Sequence, residues 1–384
     1  MIVNVEFLDK DPIENMITCL NFKVDKVVYL GDEEDIKDKK DSTQRFLKKY
    51  CNVKEVEFYG LSETNLDEVI ESINSVVESE RTEGNQVFFD LTGGEGLSLV
   101  AFGILSREKK LSIHKYDVAK GWLYELNREA GPTISETAKK QTVELDIDMY
   151  IEMHGGVVNH SMQKDTKSLE DPDFTKDAQR LWNICSKYQK TWNLFSEFLR
   201  EFCQPDSSLY VVMNIAEITA ELKNKRKFNK KEIKEIFKSC VGIGVFEDAY
   251  NTGEVYSFSY KSEKIKETLW DAGSVLELHT YMEERVKASD CRVGVHIDWD
   301  GTIHGGWGND TVNEIDVLSI NGYVPTFISC KNGNVDQMAL YELDTVAERF
   351  GGKYGKKIMM APQGLNKAHR KRAEEMGIEI KGDR

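Results

Sequence analysis

Four polar residues lie where a half-buried hairpin is expected to carry apolar ones: Glu314, Asp316, Ser329 and Lys331. Residues two apart on a strand share one face of the sheet, so these four side chains are predicted to lie on the same face. Two neighbouring carboxylates can hold a hard divalent cation such as Mg²⁺ or Mn²⁺, and a lysine beside them can stabilise charge. The alternative is a partly solvated face with a Glu/Lys cross-strand pair, which needs no chemistry.

The hairpin itself is predicted from Asn321-Gly322, which separates two alternating apolar runs and suits a two-residue turn. With the turn there, Ile320 is expected opposite Tyr323, and counting outward puts Glu314 opposite Ser329. The opposite face then carries the apolar residues Ile315, Val317, Ile328 and Cys330.

Helical and strand periodicities around the hairpin indicate the elements that position it. Residues 272–286 have apolar residues at helical spacing, with Glu277 beside the stripe. Residues 291–301 alternate as a strand whose polar face includes Asp300. A second helix is predicted over 335–350, ending in glycines, and a strand, a basic helix and a last strand follow.

This order of elements, with acids on the first helix and the central strands and a lysine one strand later, resembles the PD-(D/E)xK nuclease superfamily. The resemblance covers about residues 270–384. It implies a restriction-endonuclease-like α/β domain that cleaves phosphodiester bonds with a divalent metal. In it, Glu277 corresponds to the helical acid, Asp316 to the main metal ligand and Lys331 to the catalytic lysine.

The sequence departs from this superfamily at one position. Ser329 stands where an acid usually comes two residues before the lysine. Glu314, on the facing strand, is the nearest candidate for the second catalytic and metal-binding carboxylate, and Asp300 is a further candidate metal ligand.

The composition bounds the class of protein. The 384 residues carry a net charge of −15, which argues against a protein that coats nucleic acid by bulk attraction. No long apolar run indicates a membrane span, and the seven scattered cysteines fit a reducing compartment, so a cytoplasmic protein is expected. Basic residues are concentrated in 223–238 and 353–372, each of which is either a solvated helix face or a local surface for a phosphate backbone.

The first 150 residues alternate strand-like apolar runs with helical segments near 12–21, 41–50, 64–80 and 97–108. This alternation predicts a mostly parallel α/β sheet of Rossmann type, whose ligands bind at the carboxyl ends of the strands.

Two stretches follow such strand ends: 8–15, "LDKDPIEN", and 90–96, "DLTGGEG". In the second, glycines allow close backbone approach, Thr92 offers a hydroxyl, and the amides that open the next helix favour an anion such as phosphate. A tight strand-to-helix turn without a ligand is the alternative, and neither a dinucleotide nor a Walker motif is present.

A Rossmann-like domain with this T-G-G turn, joined to a PD-(D/E)xK domain, resembles the CARF nucleases of type III CRISPR defence. The resemblance implies a homodimer that binds a cyclic oligoadenylate, commonly cyclic tetra-adenylate, across its two-fold axis. It also implies activation by that ring of a nuclease that cuts single-stranded DNA or RNA or nicks supercoiled DNA. Thr92, Gly93, Gly94 and Glu95 correspond to the ring-binding turn, and Asp9, Pro12 and Asn15 fall in the second expected loop.

Three domains are predicted: a CARF ligand-sensing domain over 1–155, a linker and winged-helix-like connector over 156–268, and a nuclease domain over 269–384. A run of helices followed by a predicted hairpin at 241–260 indicates the winged-helix-like connector. Its expected role is dimerisation and relay. Two other functions remain open at this point. One is a CARF-type transcription regulator with a vestigial nuclease domain, and the other is a ring nuclease that degrades its own activator.

Overall fold

The computed structural model describes residues 1–62, 64–126, 137–140, 143–162, 169–205, 209–224, 229–303 and 312–382. The chain begins with a seven-stranded sheet whose strands alternate with helices. In chain order its elements are β1 (Ile2–Phe7), α1 (Pro12–Asn21), β2 (Lys26–Gly31), α2 (Glu33–Tyr50), β3 (Glu55–Gly60), α3 (Leu66–Thr82), β4 (Gln86–Asp90), α4 (Gly96–Lys109), β5 (Ser112–Asp117), β6 (Trp122–Leu126) and β7 (Thr137–Lys140).

The strand order in this sheet is β3-β2-β1-β4-β5-β6-β7. Strands β1 to β5 are parallel, and β6 and β7 are added antiparallel. Strand β2 is buried along its whole length, as expected for a parallel strand covered by helices on both faces. The mostly parallel α/β sheet predicted from the sequence is therefore present.

Helix α2 begins at Glu33, well before the predicted start at residue 41. Its first turns are charged and lack apolar periodicity, so the pattern did not indicate a helix there. The helix begins early because the Asp32 side chain accepts the N–H of Glu34 and caps it. Three acidic residues in the first turn also favour the positive end of the helix dipole.

The middle of the chain is mainly helical. Helix α5 (Ile147–Met153) and the short strand β8 (Val157–Val158) lead into α6 (Pro172–Lys187), α7 (Gln189–Phe202), β9 (Tyr210–Asn214), α8 (Ile215–Asn224), α9 (Lys230–Gly242), β10 (Phe246–Asn251), β11 (Val255–Tyr260) and α10 (Glu263–Trp270). Strands β9, β10 and β11 form an antiparallel sheet in the order β10-β11-β9. Phe237 of α9 packs on Phe246 and Phe258 of this sheet. The hairpin expected at 241–260 is thus formed by β10 and β11.

The C-terminal part is a second α/β unit. Its elements are α11 (Ser274–Glu284), β12 (Asp290–Asp298), β13 (Val312–Asn321), β14 (Val324–Cys330), α12 (Gln337–Gly351), a short 3-10 helix (Gly352–Tyr354), β15 (Lys356–Met360), α13 (Lys367–Glu375) and β16 (Ile378–Lys381). The sheet order is β16-β15-β14-β13-β12-β8. Its last strand, β8, comes from the start of the predicted connector and pairs with the end of β12.

The β13–β14 hairpin is present, but its predicted register is wrong by two residues. Asn321 pairs with Val324 and Ile320 pairs with Pro325, so the turn is formed by residues 322 and 323. Only Gly322 of this turn has a positive φ, 64°, and Tyr323 becomes buried. A shift of two residues keeps each side chain on its predicted face, because the strand period is two.

The N-terminal and C-terminal parts share one buried apolar cluster. Leu8, Tyr29 and Phe46 of the first belong to the same cluster as Phe327 and Phe350 of the second. A continuous core across two sheets ties their unfolding together, because neither side can be exposed without the other.

Tyr323 provides a test of this shared core. Its buried hydroxyl accepts from Nδ2 of Asn21 and donates to the carbonyl of Val143, each at 2.8 Å. Tyr323→Phe removes both hydrogen bonds and is expected to lower the free energy of unfolding by about 1–3 kcal/mol. The measurement is chemical denaturation followed by two spectroscopic probes, which should shift together. Tyr59→Phe, which removes an exposed hydroxyl, is the control, and equal stability of the two variants would contradict the expectation.

Candidate functional site

The first candidate site lies where the strand order of the N-terminal sheet reverses. Strands β1 and β4 are parallel neighbours, and the chain leaves them toward β2 and β5 respectively. Ligands of open α/β sheets bind in the crevice at such a point. The two predicted loops, 8–15 and 90–96, follow these strands. A hydrogen bond of 2.9 Å from the N–H of Gly94 to Oδ2 of Asp9 joins them.

Two predicted ligand residues use their polar side-chain atoms to shape these loops. The amide of Asn15 accepts the N–H of Asp9 at 2.7 Å and donates to its carbonyl at 2.9 Å. The hydroxyl of Thr92 donates to Oδ1 of Asp90 at 2.5 Å and accepts the N–H of Tyr116 at 2.9 Å. Both side chains therefore hold the loops in shape.

The glycines of the turn leave its backbone open to approach. A Cβ at Gly93 would come within 2.8 Å of Cβ of Asp9, so only glycine fits beside that loop. Gly94 has φ +118°, which side chains other than glycine rarely adopt. Glu95 is exposed and precedes α4 without a side-chain capping bond. The N–H groups of Thr92 and Gly94 are already bonded, to Asp90 and Asp9, so the turn offers a ligand the Glu95 side chain and the start of α4.

Two carboxyls are buried at the base of this turn. Glu6 and Asp90 are paired residues of β1 and β4 and are 2% and 1% exposed. Burial, and then the charge of Asp90, raises the pKa of Glu6 well above its usual value. Burial raises the pKa of Asp90 to about 6. Glu6 and Asp90, at the floor of the crevice, therefore stay protonated to higher pH than carboxyls exposed to solvent.

A cavity of about 510 Å³ lies beside these loops, between α1, α2 and the C-terminal part. Pro12 and Asn15 line it together with Lys39, Arg45 and Asp300. Asp300, predicted as a metal ligand, therefore faces the N-terminal domain. Its backbone N–H bonds to Asp298, and its Oδ1 accepts the N–H of Thr302.

The second candidate site is a cavity of about 360 Å³ in the C-terminal part. Three predicted catalytic residues line it: Glu277 of α11, Asp316 of β13 and Lys331, which directly follows β14. The lysine is held by its backbone, whose N–H donates to the carbonyl of Met360 at 2.9 Å. Three separate elements thus bring the acids and the lysine together, as the sequence predicts.

Asp316 is oriented by the neighbouring strand. Its Oδ2 accepts the backbone N–H of Cys330 at 2.6 Å and the hydroxyl of Ser329 at 3.1 Å. The ammonium of Lys331 lies 4.0 Å from the same oxygen. Ser329, in the position of the missing acid, therefore acts as a hydrogen-bond donor that holds the carboxylate in place.

Glu277 lies in the first turn of α11 and is 7% exposed. A Cβ at Gly273 would come within 2.8 Å of its Oε1, so glycine makes room for this carboxylate beside the chain. Charged side chains are rarely so buried unless they serve structure or chemistry.

Two asparagines in this cavity were missed by the sequence analysis. Nδ2 of Asn332 donates to Oδ1 of Asn193 at 3.2 Å, which brings α7 of the connector to the cavity wall. Oδ1 of Asn332 is buried, and among the described residues it has no hydrogen-bond partner. It is therefore a buried acceptor that the described residues leave unsatisfied. Asn193 lies far away in the chain, so local pattern carried no signal for it.

The structure does not bring the whole predicted ligand set together. Glu314 pairs with His296 across β12 and β13, and neither Glu314 nor Asp300 lines the cavity of Asp316. Within the described ranges, no cluster of three or more His, Cys, Asp or Glu side chains is arranged to hold a metal ion. The remaining oxygens suit a hard cation that binds through one or two carboxylates and completes its shell with water or substrate phosphate.

The fold recurs in solved structures over nearly the whole chain. Protein VC1899 from Vibrio cholerae matches with a TM-score of 0.70 at 14% identity, covering 98% of this chain and 93% of that one. Can2 from Sulfobacillus thermosulfidooxidans, solved in complex with cyclic tetra-adenylate, matches with a TM-score of 0.65 at 14% identity, covering 99% and 93%. No protein-family model and no curated protein matches the sequence. In the parts of the chain described, no helix has the length and apolarity needed to cross a membrane.

The buried Asp90 makes a prediction about pH. Its folded-state pKa of about 6 lies above its usual 3.8, so the folded chain binds this proton more tightly and loses stability as pH rises from about 4 to about 6. Asp90→Asn keeps the oxygen that accepts from Thr92 and removes the charge. It is expected to gain up to about 3 kcal/mol over the unchanged protein at about pH 8 and little at about pH 4. Thermal unfolding at both pH values measures this, and an equal loss of stability at both would contradict it.

Proposed function

We propose that this protein is a cyclic-oligoadenylate-activated, metal-dependent endonuclease of type III CRISPR antiviral defence, with an N-terminal CARF sensor and a C-terminal PD-(D/E)xK domain. The observation that carries the proposal is the convergence of Glu277, Asp316 and Lys331 on one cavity. The fold shared with the cyclic tetra-adenylate complex of Can2 supports the sensor half.

In this proposal two copies of the chain form a homodimer that binds one ring, preferably cyclic tetra-adenylate, across the two-fold axis. A symmetric ligand on such an axis contacts both copies equally. The turn of Thr92, Gly93, Gly94 and Glu95 receives the ring, and the start of α4 directs the positive end of its dipole at the ring phosphates. Asp9 reaches this turn through its carboxylate, while Pro12 and Asn15 line the adjoining cavity.

In the nuclease half, Asp316 and Glu277 hold the divalent metal, Mn²⁺ or Mg²⁺, which supplies Lewis-acid stabilisation of the phosphate when bound. Lys331 places its positive charge beside Asp316, where charge develops on the phosphodiester during hydrolysis. Ser329 and the N–H of Cys330 keep Asp316 in position. The buried, unsatisfied oxygen of Asn332 would accept a hydrogen bond from a water molecule bound in this cavity. The substrate is single-stranded DNA or RNA, or supercoiled DNA.

The nuclease cavity is tested by substitution. Asp316→Asn, Glu277→Gln and Lys331→Ala are each expected to lower ring-stimulated cleavage by about a hundredfold or more, since one electrostatic contact in a catalytic site is worth about 2.7–4 kcal/mol. Cleavage of plasmid and single-stranded substrates with Mn²⁺, with and without the ring, measures this.

Glu379→Gln is the matched control, because this exposed carboxylate of β16 lines neither cavity. It should cut like the unchanged protein. If the Lys331 and Asp316 variants cut normally, the nuclease cavity is misplaced. If the unchanged protein cuts nothing with the ring and Mn²⁺, the transcription-regulator alternative takes over, which the serine at position 329 favours.

The ring-binding turn is tested by Gly94→Val, which places a β-branched side chain at φ +118°. Ring affinity, measured by calorimetry with cyclic tetra-adenylate, should fall at least about tenfold, since one to three kcal/mol of strain is typical of such positions. Gly96→Ala is the control, because a Cβ there meets nothing within 4 Å. Equal ring affinity of the two variants would place the ring elsewhere. The products of each incubation also show whether the ring is degraded, as the ring-nuclease alternative requires.

A further inference from the structure

Helix α9 of the connector separates its charges by face. Four lysines, Lys230, Lys231, Lys234 and Lys238, are exposed. None of the four has an ion-pair or hydrogen-bond partner among the residues that the structure describes. Lys230, Lys234 and Lys238 recur every four residues and so form a row about 12 Å long on one side of the helix.

The acids of α9 point the other way. The Glu232 carboxylate accepts a hydrogen bond from the hydroxyl of Thr191, and the Glu235 carboxylate accepts one from Tyr188 at 3.2 Å. Ile233, Ile236 and Phe237 are buried against the connector core. Since its acids are directed inward to α7, the exposed side of α9 presents lysines without carboxylates between them.

This arrangement differs from an ordinary solvated helix, in which opposite charges usually alternate along the exposed face. The segment 223–238 carries eight Lys or Arg residues and two Glu in a chain whose net charge is −15. A row of unneutralised cations on an acidic protein is complementary to a polyanion. Lysines act as point charges, so they contact a phosphate backbone without reading bases.

The position of α9 relates this row to the nuclease cavity. Helix α7 contacts α9 through Tyr188 and Thr191 in its first turn. Two residues farther on, Asn193 bonds to Asn332 in the wall of the cavity that contains Lys331. One helix turn of α7 therefore links the acidic side of α9 to the cavity wall, and the lysine row lies on another side of α9.

We propose that the lysine row of α9 binds the phosphate backbone of the nucleic-acid substrate on the connector, outside the cavity of Asp316. This inference rests on the proposed nuclease function for its purpose, although binding does not require cleavage. The β10–β11 hairpin carries exposed acids, Glu247, Asp248 and Glu254, so the backbone follows α9 and avoids the hairpin.

The test compares two triple variants of the full chain. Lys230→Ala/Lys234→Ala/Lys238→Ala removes the row, and the helix is retained because alanine has the highest helix propensity. The control, on α2, removes three other exposed lysines: Lys37→Ala/Lys40→Ala/Lys48→Ala. Fluorescence anisotropy with labelled single-stranded DNA, single-stranded RNA and duplex DNA is recorded in chelator, so nothing is cut. Circular dichroism confirms that both variants fold.

We expect the α9 variant to bind nucleic acid at least about tenfold more weakly at about 50 mM salt. The slope of log affinity against log salt should become shallower by about 2.1 on single strands and about 2.7 on duplex, in proportion to the three charges removed. The α2 variant should behave like the unchanged protein. The probe with the largest loss identifies the form of nucleic acid that the row holds.

An α9 variant with unchanged affinity and salt slope would overturn the inference, leaving the row a solvated face. A change of sedimenting mass with unchanged affinity would overturn it in favour of contact with the acids of a second copy. These failures are distinguishable from failure of the proposed function. A protein that binds through α9 but never cuts with ring and Mn²⁺ refutes only the nuclease. A protein that cuts equally well with and without the lysine row refutes only the proposed role of the row.

Discussion

The loop between β1 and α1 is held from both sides, by the turn after β4 and by the C-terminal part of the chain. On one side, Asp9 accepts the N–H of Gly94 from the turn after β4. On the other, Asp11 accepts the N–H of Ile13, which caps α1, and the N–H of Lys353 at 2.9 Å. Lys353 lies in the 3-10 helix that follows α12, and α12 is the next helix after Lys331. Hydrogen bonds thus join the crevice of the N-terminal sheet to the 3-10 helix of the C-terminal part.

A second contact ties the first turn of α1 to the same 3-10 helix. Glu14 is 2% exposed, and its Oε1 pairs with the ammonium of Lys353 at 2.5 Å and with the hydroxyl of Tyr354 at 2.6 Å. Burial raises the pKa of this carboxyl, although both partners favour its charged form. Separating this pair would leave the Glu14 carboxylate buried without its cation, whereas the half-exposed Lys353 would regain solvent. A ligand at the turn therefore moves the C-terminal part only if it binds one arrangement of this contact more tightly than another.

The features that could be predicted from the sequence are those set by a local pattern of residues. Strand alternation indicated the parallel sheet, and the faces of β13 and β14 followed from the period of two, even though the turn lies one residue later than predicted. Glu277, Asp316 and Lys331 meet because each lies next to a strongly periodic apolar stripe that fixes its direction. Helix α2 was predicted too short because its first turns depend on capping and dipole charge, which apolar periodicity does not report.

The features that could not be predicted depend on contacts between residues far apart in the chain. Asp300 follows a strand whose end pairs with β8, and this turns it toward the N-terminal domain, which no count along the hairpin could indicate. Asn193 reaches the cavity from the connector through a contact between residues 139 positions apart. The directions of the α9 lysines are of the same kind, because the run 223–238 fits a solvated face until the partners of Glu232 and Glu235 are known.

The charge distribution determines how a polyanion could be attracted to the cavity of Asp316. A net charge of −15 repels nucleic acid at long range, and this repulsion is screened beyond about 10 Å at about 0.1 M salt. Attraction must therefore act at short range, through cations that no carboxylate neutralises. Among the described residues that line the cavity, Lys331 is the only cation, and it lies beside Asp316. A phosphate backbone held by this lysine alone would gain little, since the neighbouring carboxylates oppose it. A polyanion held in this cavity would thus need both a cation between its phosphate and the carboxylates and a second basic surface outside the cavity.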